Sequence, residues 1–150
     1  MVRNQKRDFL MKTVKLTCLI FLLVSIATAQ APDTLWTSTY GGSSLDRCFS
    51  GIHTSDGGYL LAGFSESFGI GGEDIWVLKT DSAGTYEWTQ VFGGGSNDRA
   101  YSVVETDDGY FLIGGITASY GAGSNDGWVI KLDSAGNLVW QKTYGLAGED

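Results

Sequence analysis

Trp36, Trp88 and Trp140 stand 52 residues apart, as do Gly41, Gly93 and Gly145, and Asp46, Asp98 and Asp150. Laying residues 36–98 on 88–150 needs no gap and gives 27 identities in 63 positions. A fixed period near 50 means that one supersecondary unit is used again, and that neighbouring units share a core neither can build alone.

Each unit reads as four strands. In the second copy they are Ala100–Thr106, Tyr110–Ile113, Trp128–Leu132 and Leu138–Tyr144. In the first they are Cys48–Thr54, Tyr59–Ala62, Trp76–Thr80 and Tyr86–Phe92. Asp107-Asp108-Gly109 is a strong hairpin signal between the first two strands. Residues 114–125 are Gly- and Ser-rich and read as a connection. Asp81-Ser82-Ala83-Gly84 and Asp133-Ser134-Ala135-Gly136 turn the chain, with Asp capping the turn and Gly free to take positive φ. No window shows helical periodicity.

Period-2 alternation assigns the faces. Trp128, Ile130 and Leu132 share one face, with Val129 and Lys131 on the other. Leu138, Trp140 and Tyr144 align, as do Trp88 and Phe92, and Trp76 and Leu78. The first strand carries small residues, Cys48 and Ser50 against Ala100 and Ser102, as a strand crowded near an axis requires. Such a sheet cannot hide both faces by itself; stacked radially it can. The expected fold is all-β: four-stranded antiparallel blades of a β-propeller, of which this chain holds about two, in units 47–98 and 99–150 after a closing strand at 35–40. Closure takes about 4–8 blades, so the chain is expected either to belong to a longer protein or to self-associate.

The first 29 residues read differently. Arg3, Lys6, Arg7, Lys12 and Lys15 precede an apolar run of 14 residues, Leu16–Ala29. That is short of the ~20 residues that span a bilayer. It ends in Ala27-Thr28-Ala29, followed by Gln30, so residues 1–29 read as a signal peptide cleaved between Ala29 and Gln30. Met11 opens a more compact version of the same signal. Residues 30–150 are then the exported repeat region, secreted or at the cell surface, with no transmembrane segment after cleavage.

Composition closes off several functions. After residue 29 there are 5 Lys and Arg against 16 Asp and Glu, a net charge of −11. Such a surface repels phosphate backbones, so no nucleic-acid partner is expected. One His (His53) and one Cys (Cys48) in this region leave no material for a disulfide framework, a zinc site or a Ser-His-Asp triad.

The pattern W-x-x-x-[YF]-G-G-x-x-x-D, then D-G-G-Y, then D-x-W-x-x-K-x-D-x-x-G-x-x-x-W, resembles the tandem repeat of secreted bacterial β-propeller proteins over residues 35–150. The resemblance implies an exported repeat scaffold, in proteins that often carry a C-terminal surface-sorting domain for type IX secretion. It implies no particular activity. The ending D-x-x-G-x-x-x-W also looks like the blade signature of PQQ-type propellers.

Asp81, Gly84 and Trp88, and Asp133, Gly136 and Trp140, recur in both units, so they read as turn and packing residues, as do Trp36, Trp76 and Trp128. Residues 69–74 and 121–126 are Gly-rich, but acid in the loops and the lack of a following Lys-Ser/Thr or helix reject a phosphate loop. Asp74 and Asp126 are weak calcium candidates by ligand type; no other cofactor is expected. Asp46-Arg47 and Asp98-Arg99 read as a turn cap or an interblade salt bridge, His53 as exposed, and Cys48 as a small core filler. No catalytic residue is assigned. The near-copying of polar positions favours a non-catalytic scaffold for an extracellular protein, glycan or surface. The alternative is the propeller part of an extracytoplasmic enzyme, glycosidase-like or PQQ-dehydrogenase-like.

Overall fold

The computed structural model describes residues 35–147. The signal-peptide reading, its Ala29–Gln30 boundary and Asp150 lie outside them. The fold described here is that of the unit Trp36–Asp150.

The fold is all-β, two four-stranded antiparallel meanders arranged as two blades of a propeller-like fold. The first sheet has the order β1 (Asp46–His53), β2 (Tyr59–Ser65), β3 (Asp74–Thr80), β4 (Tyr86–Phe92). The second repeats it as β5 (Asp98–Glu105), β6 (Phe111–Thr117), β7 (Asp126–Leu132), β8 (Leu138–Tyr144). The registers correspond at the 52-residue offset: Asp46 opposes Ser65 as Asp98 opposes Thr117, and both first strands carry a bulge, at Cys48/Ser50 and Ala100/Ser102.

The expected strands form, with changed limits. β4 and β8 match expectation. β2 and β6 run further, to Ser65 and Thr117, so Gly114–Thr117 belong to a strand and not to the connection. Pairing with β5 continues there: Gly115 sits directly against β5 (Ala100 is its register partner), where a side chain would not fit. Residues 35–40, expected as a closing strand, form none. A fourth strand needs a third beside it, and, among the described residues, 36–40 have no such neighbour.

One core joins the sheets. Leu60, Ala62, Ile75 and Val77 of the first pack against Ala100, Val103, Phe111, Ile113, Trp128, Ile130 and Leu132 of the second, with Ile52, Trp88 and Phe92 at its border. Trp128, Ile130 and Leu132 do share the buried face, each at 2% exposure or less. The β8 face differs from expectation: Trp140 and Tyr144 share a face, opposite Lys131 and Gly127, but a bulge between Leu138 and Trp140 sets Leu138 opposite Leu132 on the other face, and all three are exposed. Cys48 is likewise exposed, not core, although its counterpart Ala100 is fully buried. Ala100 has the first sheet against it; Cys48 has no sheet on its side.

Candidate functional site

The polar residues of the repeat gather at the connections. Asp98 accepts hydrogen bonds at Oδ2 from the Gly94 amide (2.9 Å) and the Ser119 hydroxyl (2.7 Å). Asp46 does the same with Gly42 and Ser67, both at 2.8 Å, and also accepts from the Ser65 hydroxyl. Burial pushes the Asp46 carboxyl up, but those hydroxyls and amides outweigh it and hold it below its ordinary value. Arg99 donates to Glu73, in the connection before β3, and lies 5.7 Å from the Phe64 ring. Both expected roles are therefore present: Asp98 caps a turn and Arg99 makes the interblade ion pair. The Glu73 contact raises the Arg99 guanidinium above its usual value.

The Gly-rich loops close on their own carboxylates. Asp74 Oδ2 accepts from the Ile70 amide at 2.8 Å, and Asp126 Oδ2 from the Gly123 amide at 3.2 Å. Asp74 and Asp126 are buried, with 1% and 2% exposure. Burial raises the Asp74 carboxyl; the Ile70 amide lowers it in part, and the charge of Asp98 raises it further. Oδ1 of Asp98 and Oδ1 of Asp126 are buried without a hydrogen-bond partner. Calcium takes about 6–8 oxygen ligands. Among the described residues no three His, Cys, Asp or Glu come together as a metal group.

The Asp-x-x-Gly-x-x-x-Trp elements are turns with a seat for an aromatic ring. Asp81 Oδ1 accepts from the Ala83 and Thr85 amides, both at 2.8 Å; Asp133 Oδ1 accepts from Ala135 at 3.0 Å and Asn137 at 2.8 Å. Gly84 (φ 75°) and Gly136 (φ 83°) take the left-handed conformation. The Trp of the preceding unit lies across each glycine. A Cβ on Gly84 would meet Trp36 at 2.6 Å, and one on Gly136 would meet Trp88 at 2.8 Å. Trp36 also donates through its indole N–H to the Ser82 carbonyl at 3.2 Å. Trp76 is held within its own sheet, donating to Thr89 at 2.7 Å. Trp140, which corresponds to Trp36 and Trp88, is exposed.

Two features escaped the sequence. Lys79 is 1% exposed, and its ammonium is closed by Asp56 and Glu87, each at 2.9 Å. Burial pulls the ammonium down, but the hydrogen bonds to Asp56 and Glu87 outweigh it and leave it above its ordinary value. The Thr54 hydroxyl, then Lys79 and the Gly58 amide, hold Asp56 down to about 2. The signal was visible as the Lys of W-x-x-K in both units; a polar residue between apolar neighbours reads by default as solvated. The second feature is the ring pair Phe49–Tyr101, stacked at 5.3 Å across the two bulges. A bulge re-aims side chains, and strict alternation cannot anticipate it. His53 is exposed, as expected, and meets the Tyr59 ring edge-on at 5.4 Å.

This arrangement spends its carboxylates on turn amides, hydroxyls and cations; the turn bonds recur in both sheets, whereas the Lys79–Glu87 and Arg99–Glu73 pairs do not. Among the described residues no helix is long and apolar enough to cross a membrane. Neither a protein-family model nor a curated protein matches the chain.

Proposed function

We propose that the chain is an exported, non-catalytic β-propeller scaffold that binds a protein, a glycan or a surface outside the cytoplasm. The observation that supports this reading is duplicated polar geometry. Asp46 and Asp98, and Asp81 and Asp133, perform equivalent bonding 52 residues apart. An active site on a propeller draws different groups from different blades, since function belongs to sites and not to folds. Structural roles alone recur in every blade.

The export half of the proposal rests on the charge and length pattern of residues 1–29. Expression in a bacterial host, followed by N-terminal sequencing of the exported product, is expected to find Gln30 first. An uncleaved, membrane-retained product would overturn it. The scaffold half is tested by a screen of aryl glycosides and of PQQ-supported alcohol oxidation, beside a glycan-array binding assay. No turnover with saturable retention on one glycan class, or on a cell-wall fraction, is the expected outcome. Turnover abolished by a single substitution in one unit would establish the enzyme instead.

A further inference from the structure

One cavity is built jointly by the two sheets. It holds about 330 Å³, and ligand clefts run from about 300 to 1,000 Å³. Phe49 and Phe64 line it from the first sheet, Arg99 and Tyr101 from the second, and Glu73 from the connection before β3. These residues already touch one another. Phe49 stacks on Tyr101 at 5.3 Å and tilts against Phe64 at 5.7 Å, while Arg99 pairs with Glu73 and lies 5.7 Å from the Phe64 ring. Both walls therefore belong to this chain. Leu45 and Arg47 complete the lining. Phe64 is buried, whereas Leu45, Arg47, Phe49 and Tyr101 are exposed. β1 and β5 are edge strands of their sheets, so the cavity opens along those two edges and not on an outer sheet face.

Its chemistry differs from that of the rest of the molecule. After residue 29 the chain carries a net charge of −11 and two arginines, and both arginines line this cavity. Glu73 is the one acid beside them. Arg99 commits Nε to Glu73 and has Tyr101 as a further partner. A guanidinium has five N–H donors, so Arg99 keeps donors for a ligand. Arg47 makes no ion pair among the described residues. Phe49 and Tyr101, 44% and 46% exposed, add a flat apolar surface next to that charge.

We propose that this cavity binds a single uronate residue of a glycan, its carboxylate held by Arg47 and Arg99 and its pyranose ring resting on the Phe49–Tyr101 pair. A guanidinium fork matches a carboxylate in geometry as well as charge. The face of a pyranose ring that carries only C–H groups suits the electron-rich face of an aromatic ring. A polyuronate is excluded for the reason that excludes nucleic acid, since its other charges meet a strongly acidic surface. The recognised uronate therefore stands at a chain end or between neutral sugars. This inference rests on the glycan-binding form of the scaffold reading and adds the sugar class and the site.

Isothermal titration of the full chain with methyl β-D-glucuronide and methyl β-D-glucoside tests it, because the two sugars differ only in a carboxylate against a hydroxymethyl group. The glucuronide is expected to bind one site, and the glucoside at least about tenfold more weakly, equivalent to ~1.4 kcal/mol. Arg47→Gln is expected to keep the melting curve, lose at least about tenfold in glucuronide affinity and leave the glucoside nearly unchanged. Tyr101→Ala is expected to weaken both sugars. Absence of glucuronide binding overturns the proposal, as does equal affinity for the two sugars or unchanged binding in Arg47→Gln. Tighter binding of benzoate, or of a short peptide through its terminal carboxylate, overturns it too and assigns the cavity to that ligand. A neutral glycan retained equally by wild type and Arg47→Gln, with no glucuronide bound, would overturn this site and leave the scaffold reading standing. Turnover of an aryl glycoside would overturn the scaffold reading, while the methyl glycoside affinities would still decide the site.

Discussion

The carboxylates of this chain differ in what their burial does, and the difference gives opposite responses to acid. Asp56 is held at about 2 in the fold against an ordinary 3.8. The fold binds that proton more weakly than the open chain does. Its stabilisation is therefore present above pH 3.8 and lost as pH falls through about 2. Because its side chain is 58% exposed, solvent limits the effect to about 1 kcal/mol. Asp74 is raised, mainly by burial and further by Asp98. The fold binds that proton more tightly, so its contribution is complete below pH 3.8 and is lost as pH rises through the folded value. Asp74→Asn keeps an oxygen for the Ile70 amide and removes the charge. It is expected to raise Tm at pH 7, with the gain shrinking toward pH 3; an equal gain at both pH values would show that charge is not the cause. Lys79 supplies a second ordering. Lys79→Met replaces a buried ammonium with an apolar chain of similar volume and leaves Asp56 and Glu87 able to hydrate; it is expected to cost under about 1.5 kcal/mol. Asp56→Ala leaves the ammonium buried with one partner fewer and is expected to cost about 2–3 kcal/mol. Urea denaturation of the two variants decides the order. Neither Lys79 nor the Asp74–Asp98 pair was legible in the sequence, since burial of a polar residue depends on which sheet lies above it.

At the scale of the elements, the turns were the most legible part. Asp81–Gly84 and Asp133–Gly136 form the expected capped turns because the Asp–amide bonds are local and need no tertiary contact. Strand existence and order followed from the repeat. The bulges at Phe49 and Tyr101 and the tails of β2 and β6 did not, because both are settled by the neighbouring strand. What the turn glycines do besides turning is testable by comparison. Gly109 has φ 78° and a Cβ there meets nothing within 4 Å, whereas Gly136 has φ 83° and lies under the Trp88 ring. Gly109→Ala is expected to cost only the left-handed strain, about 1–2 kcal/mol. Gly136→Ala adds the displacement of Trp88 at the core border, about 1–3 kcal/mol more. Thermal unfolding of both variants measures the difference, and equal costs would mean that the Trp88 seat contributes nothing beyond the turn.

At the scale of the whole molecule, the shared core sets how the chain unfolds. The buried apolar set takes four residues from the first sheet and seven from the second, and the Trp88 of one packs against the Phe111 of the other at 6.2 Å. A single four-stranded sheet with one open face has few ways to offset the entropy of ordering its chain, and stability in repeat architectures resides largely in the contact between neighbours. The two sheets are therefore expected to unfold as one. Tryptophan emission reports mainly on the Trp76, Trp88 and Trp128 seats, while far-ultraviolet circular dichroism reports on all eight strands; the two denaturation curves are expected to coincide. Truncation after Gly93 keeps β1–β4 complete but removes every partner of Leu60, Ala62, Ile75 and Val77 in the second sheet. That shorter chain is expected to show no cooperative transition. If it retained one with a slope near that of the whole chain, the first sheet would hold a core of its own, and the contact between the sheets would be an addition to two finished units instead of what makes them fold.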